Sequence, residues 1–103
     1  RFEKTYNELP KYPAVSRDLT LIAQEQVAYQ SILDEIKTAK IKELEAIKFK
    51  DLYRSDALGA GRKAVTISLE FRSPEATLTD LQVNAYMEKI VQTLTRTPGI
   101  SLR

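Results

Sequence analysis

The sequence predicts an α+β sandwich, a four-stranded antiparallel sheet carrying two helices on one face, in the chain order βαββαβ. Three observations predict it. Val65, Ile67, Leu69 and Phe71 alternate without a fault against polar neighbours, the pattern of a strand with one buried face. Two other stretches carry apolar residues at helical spacing: Tyr29, Ile32, Leu33 and Ile36, then Val83, Met87, Ile90, Val91 and Leu94. Finally, Asp56, Gly59 and Gly61 mark a turn that makes a hairpin of the two middle strands.

Taken in order, residues 1–16 hold Phe2, Tyr6, Leu9, Tyr12 and Val15 around Pro10 and Pro13, with neither a helical nor an alternating period. A proline pushes the residue before it to extended geometry, so this stretch reads as an extended lead-in arm. From Arg17 onward Leu19, Leu21 and Ala23 alternate with Asp18, Thr20 and Ile22, giving the first strand. The polar Gln24, Glu25 and Gln26 separate it from a helix of about ten residues. Residues 44–54 are rich in strand-favouring types and contain neither Gly nor Pro. Their parity fails, because Ile47, Phe49, Asp51 and Tyr53 fall on one face and Lys48, Lys50 and Leu52 on the other; a β-bulge near Lys50 repairs it. The clean third strand ends at Ser73 and Pro74. Thr79 with Gln82 three residues on is a capping box that opens the second helix, with Met87 among its core positions. Pro98 and Gly99 close that helix, and Ile100 and Leu102 alternate with Ser101 and Arg103 in a short last strand.

Helix-linked returns joining the first strand to the second and the third to the fourth, with right-handed crossovers, make this the split βαβ or ferredoxin-like sandwich. Both helices then cover one sheet face. The other face is open and holds Asp18, Thr20, Asp51, Tyr53, Ala64, Thr66, Ser68, Glu70, Arg72, Ser101 and Arg103. Small polar groups around one aromatic suit the docking of a planar base, and they equally suit a plain solvated face.

Composition narrows the function. The 103 residues are one domain's worth, and 43% hydrophobic with 29% charged content excludes both disorder and a membrane span. There is no His and no Cys, hence no imidazole base, no thiolate nucleophile, no nitrogen or sulfur metal cage and no disulfide. Arg1, Phe2, Glu3 and Lys4 form no apolar signal segment, so an intracellular protein is the default. The one Met, Met87, is internal and the sequence starts at Arg1, which reads as a piece of a longer polypeptide. A net charge of +2 is too small to hold nucleic acid by bulk electrostatics, so any such binding needs local geometry.

Candidate chemistry is thin. Gly59-Ala60-Gly61 lacks the third glycine of a dinucleotide fingerprint and precedes a strand, as a hairpin turn does. Asp18 and Asp51, expected on neighbouring strands of one face, have no apolar pocket to separate their pKa values for acid/base work. Ser73 and Lys63 lack the spacing of a Ser-Lys pair. The basic residues Lys48, Lys50, Arg54, Arg62 and Lys63, interleaved with Phe49 and Tyr53, suit a phosphate backbone and a stacked base. They also suit a hairpin decorated for solubility and against edge pairing.

Tyr12-Pro13-Ala14-Val15-Ser16-Arg17-Asp18-Leu19, then Asp51-Leu52-Tyr53, Gly61-Arg62-Lys63, Phe71-Arg72, Thr77-Leu78-Thr79-Asp80 and the closing Leu102-Arg103 resemble the anticodon-binding ferredoxin-fold domain that ends the phenylalanyl-tRNA synthetase β chain. The resemblance runs through nearly the whole chain. It implies one anticodon-binding domain over residues 1–103, with an arm at 1–16, cut from a larger cytoplasmic protein. It further implies that Asp51 accepts from a base edge, Tyr53 stacks, Thr20 lines the same pocket and Arg103 meets phosphate or base. Two departures stand out: Ala64 occupies a position where the family often has Ser, so that the hydroxyl contact is either lost or supplied by Thr66 or Ser68, and Lys50 replaces a common apolar residue. The implied partners are the anticodon of tRNA(Phe), the α subunit and the remaining β-chain domains, with neither membrane nor DNA among them. The parent would use ATP and Mg²⁺ at a catalytic site elsewhere, leaving this piece with no cofactor, metal or catalytic residue.

Two other classes share the strand and helix order. A regulatory domain of the ACT type places a glycine-bearing loop between the first strand and first helix, where the present chain has Ala23-Gln24-Glu25-Gln26-Val27. An acylphosphatase-type enzyme needs an Arg in that same connection, and residues 24–28 contain no Arg or Lys.

Overall fold

A computed structural model of the protein describes residues 12–102, so most of the expected arm and the predicted contact of Arg103 lie outside the described residues. The elements follow the expected order: β1 (Val15–Gln24), α1 (Tyr29–Lys37), β2 (Leu44–Tyr53), a 3₁₀ turn (Asp56–Leu58), β3 (Arg62–Phe71), α2 (Asp80–Thr95) and β4 (Ile100–Leu102). The sheet runs β2-β3-β1-β4 with every neighbouring pair antiparallel. β1 begins two residues inside the stretch read as an arm, because the ten-residue β3 offers partners up to Phe71, which faces Val15.

One face of the sheet builds the core. Leu21, Val65, Ile67, Leu69 and Phe71 meet Ile32 and Ile36 of α1 and Val83, Ile90 and Leu94 of α2. Burying such side chains supplies roughly 1.5–3 kcal/mol apiece, which holds α1 in place even though Ala28 at its start offers no side-chain cap. Met87 is only half-buried and packs at the margin of this core. α2 has the predicted capping box: the Gln82 amide donates to Thr79 Oγ1 at 3.2 Å and the Thr79 amide donates to Gln82 Oε1 at 2.9 Å. Asp80, beside the positive end of α2, pairs with Arg17 of β1 at 3.2 Å and thereby joins two of the motifs that carry the family resemblance.

The bulge near Lys50 is present, since the β2–β3 register shifts between Phe49 and Asp51. It turns Ile47, Phe49 and Leu52 to the helix side and Asp51 and Tyr53 to the other. A second shift, between Leu44 and Ala46, carries no sequence signal of its own. The expectation that Asp18 and Asp51 lie on neighbouring strands is corrected, because β3 runs between them: Asp18 faces Ser68 and Asp51 faces Thr66.

Candidate nucleic-acid interface

Side chains alternate between sheet faces, so the pairing register lays out the face away from the helices row by row. One row reads Tyr53, Ala64, Ile22, Ser101 across β2, β3, β1 and β4. The next reads Asp51, Thr66, Thr20. Beyond it lie Ser68 and Asp18, then Glu70 and Ser16. Directly opposed residues in such rows have Cβ atoms about 4.5–5.5 Å apart, close enough for one flat ligand to touch several.

The two ends of this face differ in charge. At one end each basic group has a carboxylate: Lys48 lies 3.1 Å from Glu70, Lys50 3.9 Å from Asp18 and Arg72 3.5 Å from Glu45. At the hairpin end Asp51 is exposed and has no ion pair or hydrogen bond among the described residues. Thr20 and Thr66 share a hydrogen bond of 2.9 Å between their hydroxyls, which leaves acceptor capacity on both oxygens. Ala64 is 0% exposed, so it spaces Tyr53 from Ile22 and offers no surface of its own. The structure therefore brings Thr20, Asp51, Tyr53, Ala64 and Thr66 into two adjacent rows. Ile22 completes the apolar part of that patch and was missing from the sequence-based face; its place in the β1 alternation, even-numbered like Asp18 and Thr20, was the signal.

Part of the expected basic cluster is drawn away from this face. Lys63 alternates to the helix side, is 9% exposed, and donates from Nζ to the carbonyls of Glu25 at 3.1 Å and Val27 at 2.7 Å. Arg54 is held by Glu25 through bonds of 2.7–2.9 Å from Nε and Nη2, and this hydrogen bonding draws the Glu25 carboxyl below its ordinary pKa. Phe49, read as a companion of Tyr53 for stacking a base, lies on the opposite face in a T-shaped contact with Tyr29, ring centroids 5.6 Å apart. The connection from β1 to α1 is also committed, as the amides of Gln24, Glu25 and Val27 donate to the carbonyls of Gly99, Gly61 and Gln24. Three of the main-chain amides that an ACT-type ligand could use there are thus already taken.

Residues 10–103 match the family model of the ferredoxin-fold anticodon binding domain. The chain is 42% identical over 98 residues to the phenylalanine-tRNA ligase beta subunit of Streptococcus mutans, covering 95% of this chain and 12% of that protein. It is 46% identical over 88 residues to the same subunit of Streptococcus thermophilus, covering 85% and 11%, and 39% identical over 101 residues to that of Streptococcus pyogenes serotype M1, covering 98% and 13%. The chain spans about one eighth of the length of these relatives. No helix among the described residues is long and apolar enough to cross a membrane.

Proposed function

The chain belongs to the ferredoxin-fold anticodon binding domain family, and from that premise we propose that the hairpin end of its open sheet face reads the anticodon of a phenylalanine tRNA for a phenylalanine-tRNA ligase β subunit. The observation that carries this assignment is the pair of rows Tyr53–Ala64–Ile22–Ser101 and Asp51–Thr66–Thr20, which sets an aromatic ring, a carboxylate and two hydroxyls side by side on one face. The ring of Tyr53 gives a stacking surface, extended by Ile22. The Asp51 carboxylate accepts only, so it selects a base edge that presents N–H donors. The Thr20 and Thr66 oxygens add acceptors beside it, and they supply the hydroxyl that Ala64 lacks. The domain positions the tRNA, while phenylalanine activation with ATP and Mg²⁺ and transfer to tRNA belong to a catalytic site on the α subunit, in the cytoplasm.

Titrating the chain with the anticodon stem-loop of phenylalanine tRNA and with a scrambled-anticodon loop tests the assignment. The cognate loop binds more tightly, and Tyr53→Ala loses about 1–3 kcal/mol of that binding, the value of one base stacked on an aromatic ring. Equal binding of both loops refutes anticodon reading, and an unaffected Tyr53→Ala removes the ring from the site.

A further inference from the structure

The basic side chains on and around the sheet are nearly all committed, Arg17 to Asp80, Lys48 to Glu70, Lys50 to Asp18, Arg54 to Glu25, Arg72 to Glu45 and Lys63 to two carbonyls. Arg62 is different. It is exposed and has no ion pair or side-chain hydrogen bond among the described residues. As the first residue of β3 it pairs with Gln24 of β1, on the open face and one row beyond Ala64 and Ile22. Two residues along a strand span about 6.7 Å, which is within the reach of an arginine side chain. Arg62 also forms a wall common to two clefts. One, of about 200 Å³, is lined by Ile22, Gln24, Gly99 and Ser101 among others; the second, of about 380 Å³, includes Glu25, Arg54, Asp56 and Gly61.

Charge distinguishes the clefts. The second also holds the carboxylates of Glu25, which is bonded to Arg54, and of Asp56. In the first, Arg62 is the single charged wall among the described residues, beside the Ser101 hydroxyl, the Gln24 amide and the side-chain-free Gly99. A guanidinium that forms no ion pair among the described residues, set among neutral polar groups, matches a ligand with one negative charge and two acceptor oxygens. We propose that Arg62 anchors a backbone phosphodiester of the RNA whose base lies on the Tyr53–Ala64–Ile22–Ser101 row, in the cleft that crosses the end of β1 from Arg62 to Ser101. The site rests on the anticodon-reading assignment and adds to it a sequence-independent clamp on the flanking phosphate.

Binding of the cognate and the scrambled stem-loop to the parent chain, Arg62→Gln and Arg62→Lys is measured across a salt series, with thermal melts as a control for folding. Arg62→Gln weakens both loops by the same factor. It also flattens the dependence of log K on log salt by about 0.7, the share of one single-strand phosphate, so raising salt from about 50 to about 200 mM costs it about 2.6-fold less affinity than the parent. Arg62→Lys, which keeps the charge, retains the parent slope. An unchanged slope and affinity in Arg62→Gln, with cognate preference intact in the parent, overturns the phosphate site and leaves anticodon reading standing. Loss of cognate preference in the parent chain instead overturns the reading on which the site rests. Inorganic phosphate at matched ionic strength leaves loop binding unchanged, whereas Arg62-dependent competition by it marks a free-anion site and overturns the diester assignment.

Discussion

Lys63→Met separates a structural cation from a binding one. Lys63 sits next to Arg62 in the chain but on the opposite face of β3, with its ammonium donating to the Glu25 and Val27 carbonyls at 3.1 and 2.7 Å. Methionine retains an unbranched apolar stem, so little cavity cost accompanies the change. What is lost is a pair of hydrogen bonds from a charged donor, each worth about 1.5–3 kcal/mol, partly recovered as water reaches the freed carbonyls. A net loss of about 2 kcal/mol follows, which for a domain of this size lowers Tm by about 8–16 °C. Thermal and urea unfolding followed by far-UV circular dichroism measure it. Stem-loop binding well below the melt should be retained, because the substitution leaves the open face intact. A Tm within about 2 °C of the parent together with weakened RNA binding refutes the reasoning and returns Lys63 to the phosphate-binding set.

Thr79→Ala removes the cap of α2 and is expected to cost about 1 kcal/mol, read as a lower urea midpoint with unchanged slope; no loss would mean that the capping box contributes nothing to holding α2. Glu25 is held below its ordinary pKa of 4.5 first by its hydrogen bonds with Arg54, so its folded-state pKa lies below its unfolded one. Its contribution to stability is then present at neutral pH and lost as the pH falls past 4.5 and through the lowered value. Melting temperatures of the parent chain and Glu25→Gln should therefore converge at acid pH, and a constant difference would exclude the ionised pair as its source.

Much of the fold was legible because local rules and tertiary packing agree. The unbroken alternation of Val65 to Phe71 made β3 unmistakable, and Thr79 with Gln82 marked the start of α2 to the residue. The bulge near Lys50 could be read from a broken parity, since an apolar face cannot remain continuous through both halves of β2 without an extra residue. Strand order in space decided what was less legible. Asp18 and Asp51 look adjacent until β3 is known to lie between them. Lys63 and Phe49 belong, by composition, with a nucleic-acid surface, yet each alternates to the helix side, where loop carbonyls and Tyr29 receive them. The pairing of Arg17, Lys48, Lys50, Arg54 and Arg72, which leaves Arg62 without a partner among the described residues, depends on carboxylates brought close only by the fold.

The central claim is that the hairpin end of the open face meets the anticodon. Amide chemical-shift mapping of the chain on addition of the phenylalanine anticodon stem-loop tests it most directly. The predicted result is that the largest changes fall on Thr20, Ile22, Asp51, Tyr53, Ala64 and Thr66, with α1 and α2 nearly silent. Changes concentrated on the two helices, with those six amides unmoved, would contradict it.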